Sequence, residues 1–212
     1  MECIFGLRPQ DMSVLSSKTV LKMIRSGAIY FSPLFTPEQV GSVSIDLRMG
    51  NLALIVRGSG LSHVDPRSYH GSEKHSKEQS RRQKYERVEF TFHQPLLLHP
   101  GMLALVPTLE WVKLPRIVKG VVTARSSWAR EGLSIATANF IGPGYNGIIT
   151  LELSNLGAIP IALYPGMRIA QIAFYKVAKP SRAPKASHFN FSFEPVEGDI
   201  TRNDEPFIPI PK

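Results

Sequence analysis

The sequence predicts an all-β fold, and three observations support this prediction. Apolar and polar residues alternate through a series of short segments, Pro-Gly steps separate several of them, and a single segment has clear helical periodicity. Many short strands with Gly and Pro turns and almost no helix are typical of barrels and jelly rolls. We therefore expect a mainly β, distorted jelly-roll-like barrel with one or two short helices.

The predicted helix lies near the start of the chain. Ser16 or Ser17 can cap its first turn, because a serine hydroxyl accepts a hydrogen bond from a backbone N–H at a helix start. Val20, Leu21 and Ile24 then fall on one face, and Gly27 ends the helix.

The first predicted strand pair lies within 43–56. Val43, Ile45 and Leu47 alternate with polar residues, and the Gly50-Asn51 step turns the chain into a second apolar run. Further strands are predicted over 88–92, 102–106, 110–113, 119–124, 148–153, 160–163 and 168–176.

The length of 212 residues suits one domain with a full core. We expect a single β-barrel domain over 1–178, with a polar loop inserted at 58–88. A C-terminal arm should follow over 179–212, because this part holds six of the 17 prolines and shows no clear period.

The net charge of +8 indicates an anionic partner, either a nucleotide or a nucleic acid. Residues 62–88 carry seven Lys/Arg against four Asp/Glu, but the stretch has no RNA-binding signature, so a solvated loop is favoured there. No apolar run approaches the roughly 20 residues of a membrane span, and the N-terminus lacks a signal-peptide pattern. We expect a cytoplasmic protein that binds neither nucleic acid nor membrane.

The cysteine content excludes a zinc-dependent deaminase. Such an enzyme needs three Cys or His ligands in an H-x-E…P-C-x-x-C pattern, and Cys3 is the only cysteine. No Gly-rich loop ends in Gly-Lys-Ser/Thr, and the six histidines are scattered through loops and turns. We expect no metal site built from protein side chains.

A first candidate site lies in TARSSWAREGL, where a strand passes into a turn or a short helix. Arg125, Ser126, Ser127 and Arg130 place two guanidinium groups and two hydroxyls within six residues. Arg supplies a fixed fork of donors that matches phosphate oxygens, and Ser supplies short donors. This segment can surround a polyphosphate; the alternative is a surface turn with ordinary capping serines.

A second candidate is Glu152, in the strand segment ITLELSN. Leu151 and Leu153 flank it, so the carboxylate lies on the opposite face of a strand with almost no other charge. A carboxylate among apolar residues is costly to bury unless it is paired or functional. Glu152 is therefore a candidate general base; the alternative is an exposed Glu on a solvated face.

These segments resemble a known family. ARSSWAREGL, Ala-Thr-Ala, an I-x-P-G-Y-x-G turn, I-T-L-E-L-x-N and L-Y-P-G-M-R-I-A-Q are similar, in order and spacing, to the dCTP deaminase branch of the dUTPase-like family. Upstream, IRSGAIYFSP, SVSIDLRMGN and LLLHPGMLALVPTLEWVKLP also resemble the family. The resemblance covers about 13–178.

The resemblance implies a β-clip barrel of the dUTPase-like type, assembled as a homotrimer with active sites at subunit interfaces. It implies zinc-independent hydrolysis of dCTP to dUTP and ammonia, with Mg²⁺ held by the triphosphate and dTTP as a candidate inhibitor. Glu152 falls on the catalytic Glu of the family. The other implied catalytic residues are Ser126, which helps to hold the water or the leaving group, and Arg130.

The resemblance also implies a set of substrate-binding residues. Arg125 and Ser127 fall on triphosphate positions, the backbone of Ala138 would read the cytosine edge, and Tyr145 would lie beside the sugar. Ile141, at the start of the turn, completes the set.

Three departures from the family pattern stand out. Gly142 replaces the Asp that activates water in dUTPases, which argues against diphosphatase activity. Phe140 stands where some members have Arg, in a segment one residue shorter. The C-terminal Lys-Tyr…Gln pattern has only His188-Phe189 and Glu194 as its nearest match, and a Glu would repel a triphosphate. A deaminase of another cytosine nucleotide and a non-catalytic, nucleotide-binding regulatory homologue therefore stay open as alternatives.

Overall fold

Helix α1 spans Ser17–Arg25 in the computed structural model, which describes residues 13–34, 36–58, 84–135, 139–178 and 190–196. Ser16 is its N-cap, and the Ser16 hydroxyl accepts a hydrogen bond from the Thr19 backbone N–H at 3.3 Å. Gly27 follows the helix with a φ of 74°, a conformation that favours glycine. The predicted helix is therefore confirmed, with Ser16 as the cap.

The strands are short apart from three. They are β1 (Tyr30–Ser32), β2 (Ser44–Arg48), β3 (Leu52–Val56), β4 (Tyr85–Glu89), β5 (Leu96–Leu98), β6 (Leu103–Lys113), β7 (Val118–Ala124), β8 (Leu133–Ile135), β9 (Phe140–Ile141), β10 (Asn146–Asn155), β11 (Ile161–Leu163) and β12 (Arg168–Lys176). A second helix, α2 (Ser126–Arg130), separates β7 from β8.

Two large sheets carry the fold in the described part of the chain. One has six strands in the order β4-β3-β6-β10-β8, with β1 pairing with β6, and the other has four in the order β2-β12-β7-β9. The strands β5 and β11 form a small third sheet. Side chains of both large sheets join one buried cluster, and its largest fully buried members are Phe174, Ile29, Ile45, Leu47 and Met49. Burial of each of these side chains contributes about 1.5–3 kcal/mol to stability. The two large sheets and the few short helices confirm the predicted mainly β fold class.

Strand β6 differs most from its prediction. It is one strand where two were predicted, over 102–106 and 110–113. Its pairing with β10 slips opposite Ile149, where the Thr108 hydroxyl accepts the Ile149 N–H at 3.0 Å and donates to the Glu110 carbonyl at 2.8 Å. The break that the sequence pattern indicated is therefore a β-bulge inside a continuous strand.

Other boundaries moved by smaller amounts. Strand β4 begins at Tyr85, so the last residues of the predicted polar loop belong to the six-stranded sheet. The short strands β1, β5, β8 and β9 were not predicted, because runs of two or three residues carry too little alternation. The proposed division into a domain over 1–178 and an arm over 179–212 stays a prediction.

A C-terminal segment, 190–196, docks on β10 and β6. The Phe191 N–H donates to the Asn146 carbonyl at 2.7 Å, and the Phe193 ring centroid lies 4.7 Å from that of Trp111. Glu194 forms an ion pair with Arg87 of β4. In the part of the chain that the structure describes, no helix is long and apolar enough to cross a membrane.

Candidate active site

The segment predicted to bind phosphate begins where β7 ends. Arg125 is the N-cap residue of α2, and its backbone N–H donates to the Ile169 carbonyl of β12 at 3.0 Å. The single helical turn that follows leaves Ser126, Ser127 and Arg130 exposed. These four residues therefore form one accessible group at the edge of the four-stranded sheet.

The guanidinium group of Arg125 is held from two sides. Its Nε lies 3.3 Å from Oδ2 of Asp46 in β2, and its Nη1 donates to the Arg168 carbonyl at 3.2 Å. The same carbonyl accepts the indole N–H of Trp128 at 3.1 Å. The first turn of α2 is therefore fixed to the start of β12.

Asp46 binds a second arginine as well. Arg168 Nη1 lies 3.3 Å from the same Oδ2 and donates to the Glu38 carbonyl at 2.8 Å. Burial raises the pKa of Asp46, and the neighbouring Arg125, Arg168 and Arg48 partly offset this effect. Three guanidinium groups around one carboxylate leave a net positive cluster, which suits an anionic ligand.

Asp46 and Arg168 were not among the predicted site residues. The alternation in SVSIDLRMGN did place Asp46 on the polar face of its strand, and the observed burial of β2 agrees. The pairing of β2, β12 and β7 brings these residues together across long stretches of chain. No local spacing could indicate that contact.

Glu152 lies in β10, between the buried Leu151 and Leu153, and its own side chain is half-buried on the opposite face. Its cross-strand neighbour is Leu105 of β6, which in turn lies opposite Leu54 of β3. Directly opposed residues project to the same face of a sheet, so the carboxylate lies beside apolar side chains. The predicted orientation of Glu152 is confirmed.

Strand β8 links the two candidate groups. It starts three residues after α2 and pairs with β10, with Ile135 opposite Leu153, the neighbour of Glu152. Gly132 makes this connection possible. It has a φ of 91°, and a Cβ there would lie 2.7 Å from the Gly157 nitrogen. The chain therefore returns from the arginine cluster to the Glu152 strand by a tight turn.

The turn at Gly142–Tyr145 carries one predicted substrate-binding residue, Tyr145, and follows two others in the sequence, Ala138 and Ile141. The Tyr145 N–H donates to the Gly142 carbonyl at 3.2 Å, and the Tyr145 hydroxyl donates to the Ile148 carbonyl. Burial raises the pKa of Tyr145 to about 12, so the phenol stays neutral. Ile141 is a core side chain, so only its backbone could reach a ligand. Ala138 lies outside the described residues.

Glu194, the C-terminal residue expected to repel a triphosphate, forms an ion pair with Arg87. Glu194 makes two contacts with Arg87, Nη2 to Oε1 at 3.2 Å and a shorter one from Nη1 to Oε2. Its charge is thus offset within the same chain, while His188 and Phe189 lie outside the described residues. Across the described ranges, no three His, Cys, Asp or Glu side chains converge as a metal-binding group would.

Most of the chain is similar to known proteins of one family. The family model described as dCTP deaminase-like matches residues 14–177. The protein named "dCTP deaminase, dUMP-forming" from Dictyoglomus thermophilum is 38% identical over 173 residues, which is 81% of this chain and 84% of that protein. A protein of the same name from Methanobrevibacter smithii is 33% identical over 174 residues, covering 82% of this chain and 85% of its own.

A solved structure, the 2'-deoxycytidine 5'-triphosphate deaminase of Agrobacterium tumefaciens, has a TM-score of 0.58 and 23% identity over 78% of this chain. The match spans 48% of the length of that chain, and at this identity it shows the fold alone. The resemblance predicted over 13–178 is confirmed by the family model and by the relatives. The chain belongs to the dCTP deaminase-like family.

Proposed function

We propose that this protein is a zinc-independent dCTP deaminase that hydrolyses dCTP to dUTP and ammonia. The observation that carries the proposal is the placement of Glu152, a half-buried carboxylate beside the apolar Leu105, inside the region that the family model matches. Arginines Arg125 and Arg168, held together by Asp46, supply the positive charge that a triphosphate requires.

The proposed reaction uses one carboxyl group in both directions. Glu152 takes a proton from water, and the resulting hydroxide attacks C4 of the cytosine ring. The protonated Glu152 then gives this proton to N3, takes the remaining proton from the new C4 hydroxyl and passes it to the leaving amine, so that water and dCTP become dUTP and ammonia. Ser126 and Arg130 would hold the water, the leaving group and the developing charge.

The remaining residues bind and orient the substrate in this proposal. Arg125 and Ser127 bind the triphosphate, the Ala138 backbone reads the cytosine edge, and Tyr145 packs beside the sugar. Contacts far from C4 supply binding energy that orients the base for attack. Mg²⁺ would be held by the phosphate oxygens of the nucleotide. The nearby Asp46 carboxylate is paired with Arg125 and Arg168 and is not needed as a ligand.

We propose that the reaction stops at dUTP. The dUTPase-type Asp is replaced by Gly142, which offers no carboxylate to activate water against phosphorus. Relatives named dUMP-forming favour a second candidate, in which the triphosphate is also cleaved to dUMP. Product analysis separates the two, since dUMP formation also releases pyrophosphate.

The experiment is an incubation of the purified protein with dCTP and Mg²⁺. Ammonia release is followed while chromatography separates dUTP from dUMP, with dCDP and dCMP as competing substrates. We expect dUTP and ammonia in equal amounts. Preferential turnover of dCDP or dCMP would indicate a deaminase of another cytosine nucleotide, and nucleotide binding without turnover would indicate a regulatory homologue. Adding dTTP tests the candidate inhibitor.

The assembly is part of the proposal. We expect a cytoplasmic homotrimer with active sites at subunit interfaces and no contact with nucleic acid or membrane. Light scattering after size-exclusion chromatography gives the mass directly, and a monomeric mass would contradict the trimer.

A further inference from the structure

A buried carboxylate that the proposed reaction does not use lies between the two large sheets. Glu110 of β6 is 0% exposed and belongs to the bulge that faces Ile149. An uncompensated buried carboxylate is costly, and an apolar side chain of similar volume is often the more stable choice. A buried carboxylate at this position therefore indicates a function other than core packing.

Both carboxylate oxygens of Glu110 hold strand β2 or its neighbour. Oε2 accepts the Arg48 backbone N–H at 2.9 Å, and Oε1 accepts the Gln39 side-chain amide at 2.8 Å. The same amide nitrogen donates to the Asp46 carbonyl at 2.9 Å. Glu110 thereby fixes β2 directly at Arg48 and, through Gln39, at Asp46.

The other side of β2 leads to the arginine cluster. The Asp46 side chain projects away from the core and contacts Arg125 and Arg168 through one oxygen, Oδ2. Arg48 lies directly opposite Arg168 in the pairing of β2 with β12. Like charges that face each other repel, so the cluster depends on where β2 places the Asp46 carboxylate.

The same network reaches the strand of the catalytic candidate. The Thr108 hydroxyl bonds the Glu110 carbonyl and the Ile149 N–H, and Ile149 precedes Glu152 by three residues in β10. Hydrogen bonds therefore run from β10 through Thr108 and Glu110 to β2 and its Asp46.

We propose that Glu110 is a positioning residue for phosphate binding, which acts by fixing β2 so that Asp46 orients Arg125 and Arg168. The inference rests on the proposed function only in taking the ligand to be a nucleoside triphosphate. It assigns to Glu110 an effect on anion affinity, and not on the chemical step at Glu152.

The test uses the full chain and tripolyphosphate as the probe, with calorimetry for binding and steady-state kinetics with dCTP. In Glu110→Gln one acceptor oxygen becomes an NH₂ that faces a donor, so one of the two hydrogen bonds of the Glu110 side chain, to the Arg48 N–H or to the Gln39 amide, is lost. We expect the Kd for tripolyphosphate and the KM for dCTP to rise about tenfold, with kcat changed less than about threefold. Glu86→Gln, at an exposed ion pair of β4, is the matched control and should leave both constants unchanged.

A double-mutant cycle with Asp46→Asn separates positioning from a general loss of stability. If Glu110 acts through Asp46, Glu110→Gln should weaken tripolyphosphate binding less than about twofold once Asp46 is changed. Effects that multiply would overturn the proposal, as would a folded Glu110→Gln that binds tripolyphosphate like the wild type. If Glu110→Gln does not fold, Gln39→Met removes the amide that bonds both Glu110 and the Asp46 carbonyl, while Glu110 keeps its bond to the Arg48 N–H, and should show the same weakening; wild-type binding by that variant would also overturn it.

The binding assay distinguishes this inference from the proposed function. A wild-type protein that binds tripolyphosphate but does not deaminate dCTP would contradict the proposed reaction and leave the positioning role supported by the cycle. A wild-type protein that binds no tripolyphosphate would overturn the positioning role, whatever the deamination assay gives.

Discussion

Arg125 and Asp46 form an ion pair that reaches over strand β12, which lies between β2, the strand of Asp46, and β7, the strand that ends just before Arg125. Two strand spacings amount to roughly 10 Å, which a long arginine side chain can bridge. The pair leaves the side chain of Arg125 one-third exposed, at 32%, so part of the guanidinium group stays accessible to a ligand.

Asp46→Asn should weaken nucleotide binding. The amide keeps the shape but loses the charge that holds two guanidinium groups together, so both arginines gain freedom. We expect the KM for dCTP to rise about tenfold, or about 1.4 kcal/mol, with kcat within about threefold. Steady-state kinetics measure both. Glu86→Gln, at the exposed ion pair of β4, is the control, because it removes a carboxylate away from the arginine cluster; an equal effect of both changes would contradict the role of the Asp46 ion pairs.

Glu152→Gln should bind dCTP but not turn it over. The amide cannot accept the proton of water, while the surface it presents to the nucleotide is almost the same. We expect kcat to fall about 10²- to 10⁴-fold, the usual contribution of a general acid–base group. Ammonia release gives the rate and calorimetry gives the Kd. A rate close to that of the wild type would show that another group is the base.

Gly142→Asp should be tolerated and should change the products. A Cβ at Gly142 meets nothing within 4 Å, so we expect a stability change within about 0.5 kcal/mol. A carboxylate restored at this turn could activate water, and the fraction of dUMP among the products should rise. Chromatography of the products measures that fraction. Gly142→Asn, which lacks the charge, is the control, and equal dUMP from both variants would argue against the carboxylate.

The stability of the protein should depend on the ionisation of Glu110. Burial raises its pKa from 4.5 to about 7, so the folded state binds the proton more tightly than the unfolded state. The resulting stabilisation is fully present below pH 4.5 and is lost as the pH rises through about 7. The loss is on the order of 3 kcal/mol relative to Glu110→Gln, which does not titrate. Urea unfolding of both proteins at several pH values measures this loss. If the free energy of unfolding changed with pH in the same way for both proteins, Glu110 would not be the group responsible.

Gly132→Ala should destabilise the turn between α2 and β8. The positive φ of 91° costs a side chain about 1–2 kcal/mol, and the new Cβ would also lie 2.7 Å from the Gly157 nitrogen. We expect a loss of more than about 2 kcal/mol in the free energy of unfolding. Gly101→Ala is the control, since Gly101 has a similar φ of 75° but open space around it. Thermal unfolding measures both variants. Equal losses of stability in the two would show that the close contact with the Gly157 nitrogen has no effect.

Much of the fold follows from local pattern. The Ser16 cap and Gly27 bound α1, and alternation located most of the longer strands, because these signals act within a few residues. The bulge at Thr108 was misread as a gap between strands. It interrupts the alternation, while β6 stays paired with β10 on both sides of it.

The site was predictable only in part. Arg125, Ser126, Ser127 and Arg130 are neighbours in sequence, and Glu152 stands out as a carboxylate among apolar residues. Asp46 joins them through the order of three strands that are far apart in the chain, which local pattern does not contain. Roles for the remaining residues came from family resemblance rather than from spacing.

The docked segment 190–196 also bears on aggregation of the protein. The Phe191 N–H and the Ser192 carbonyl bond the backbone of β10 at Asn146 and Ile148, beyond the stretch that β8 covers. Exposed strand edges are templates for uncontrolled pairing between molecules. The segment 190–196 thus shields part of the β10 edge, and a chain cut before residue 190 would expose an aggregation-prone edge on the strand that carries Glu152.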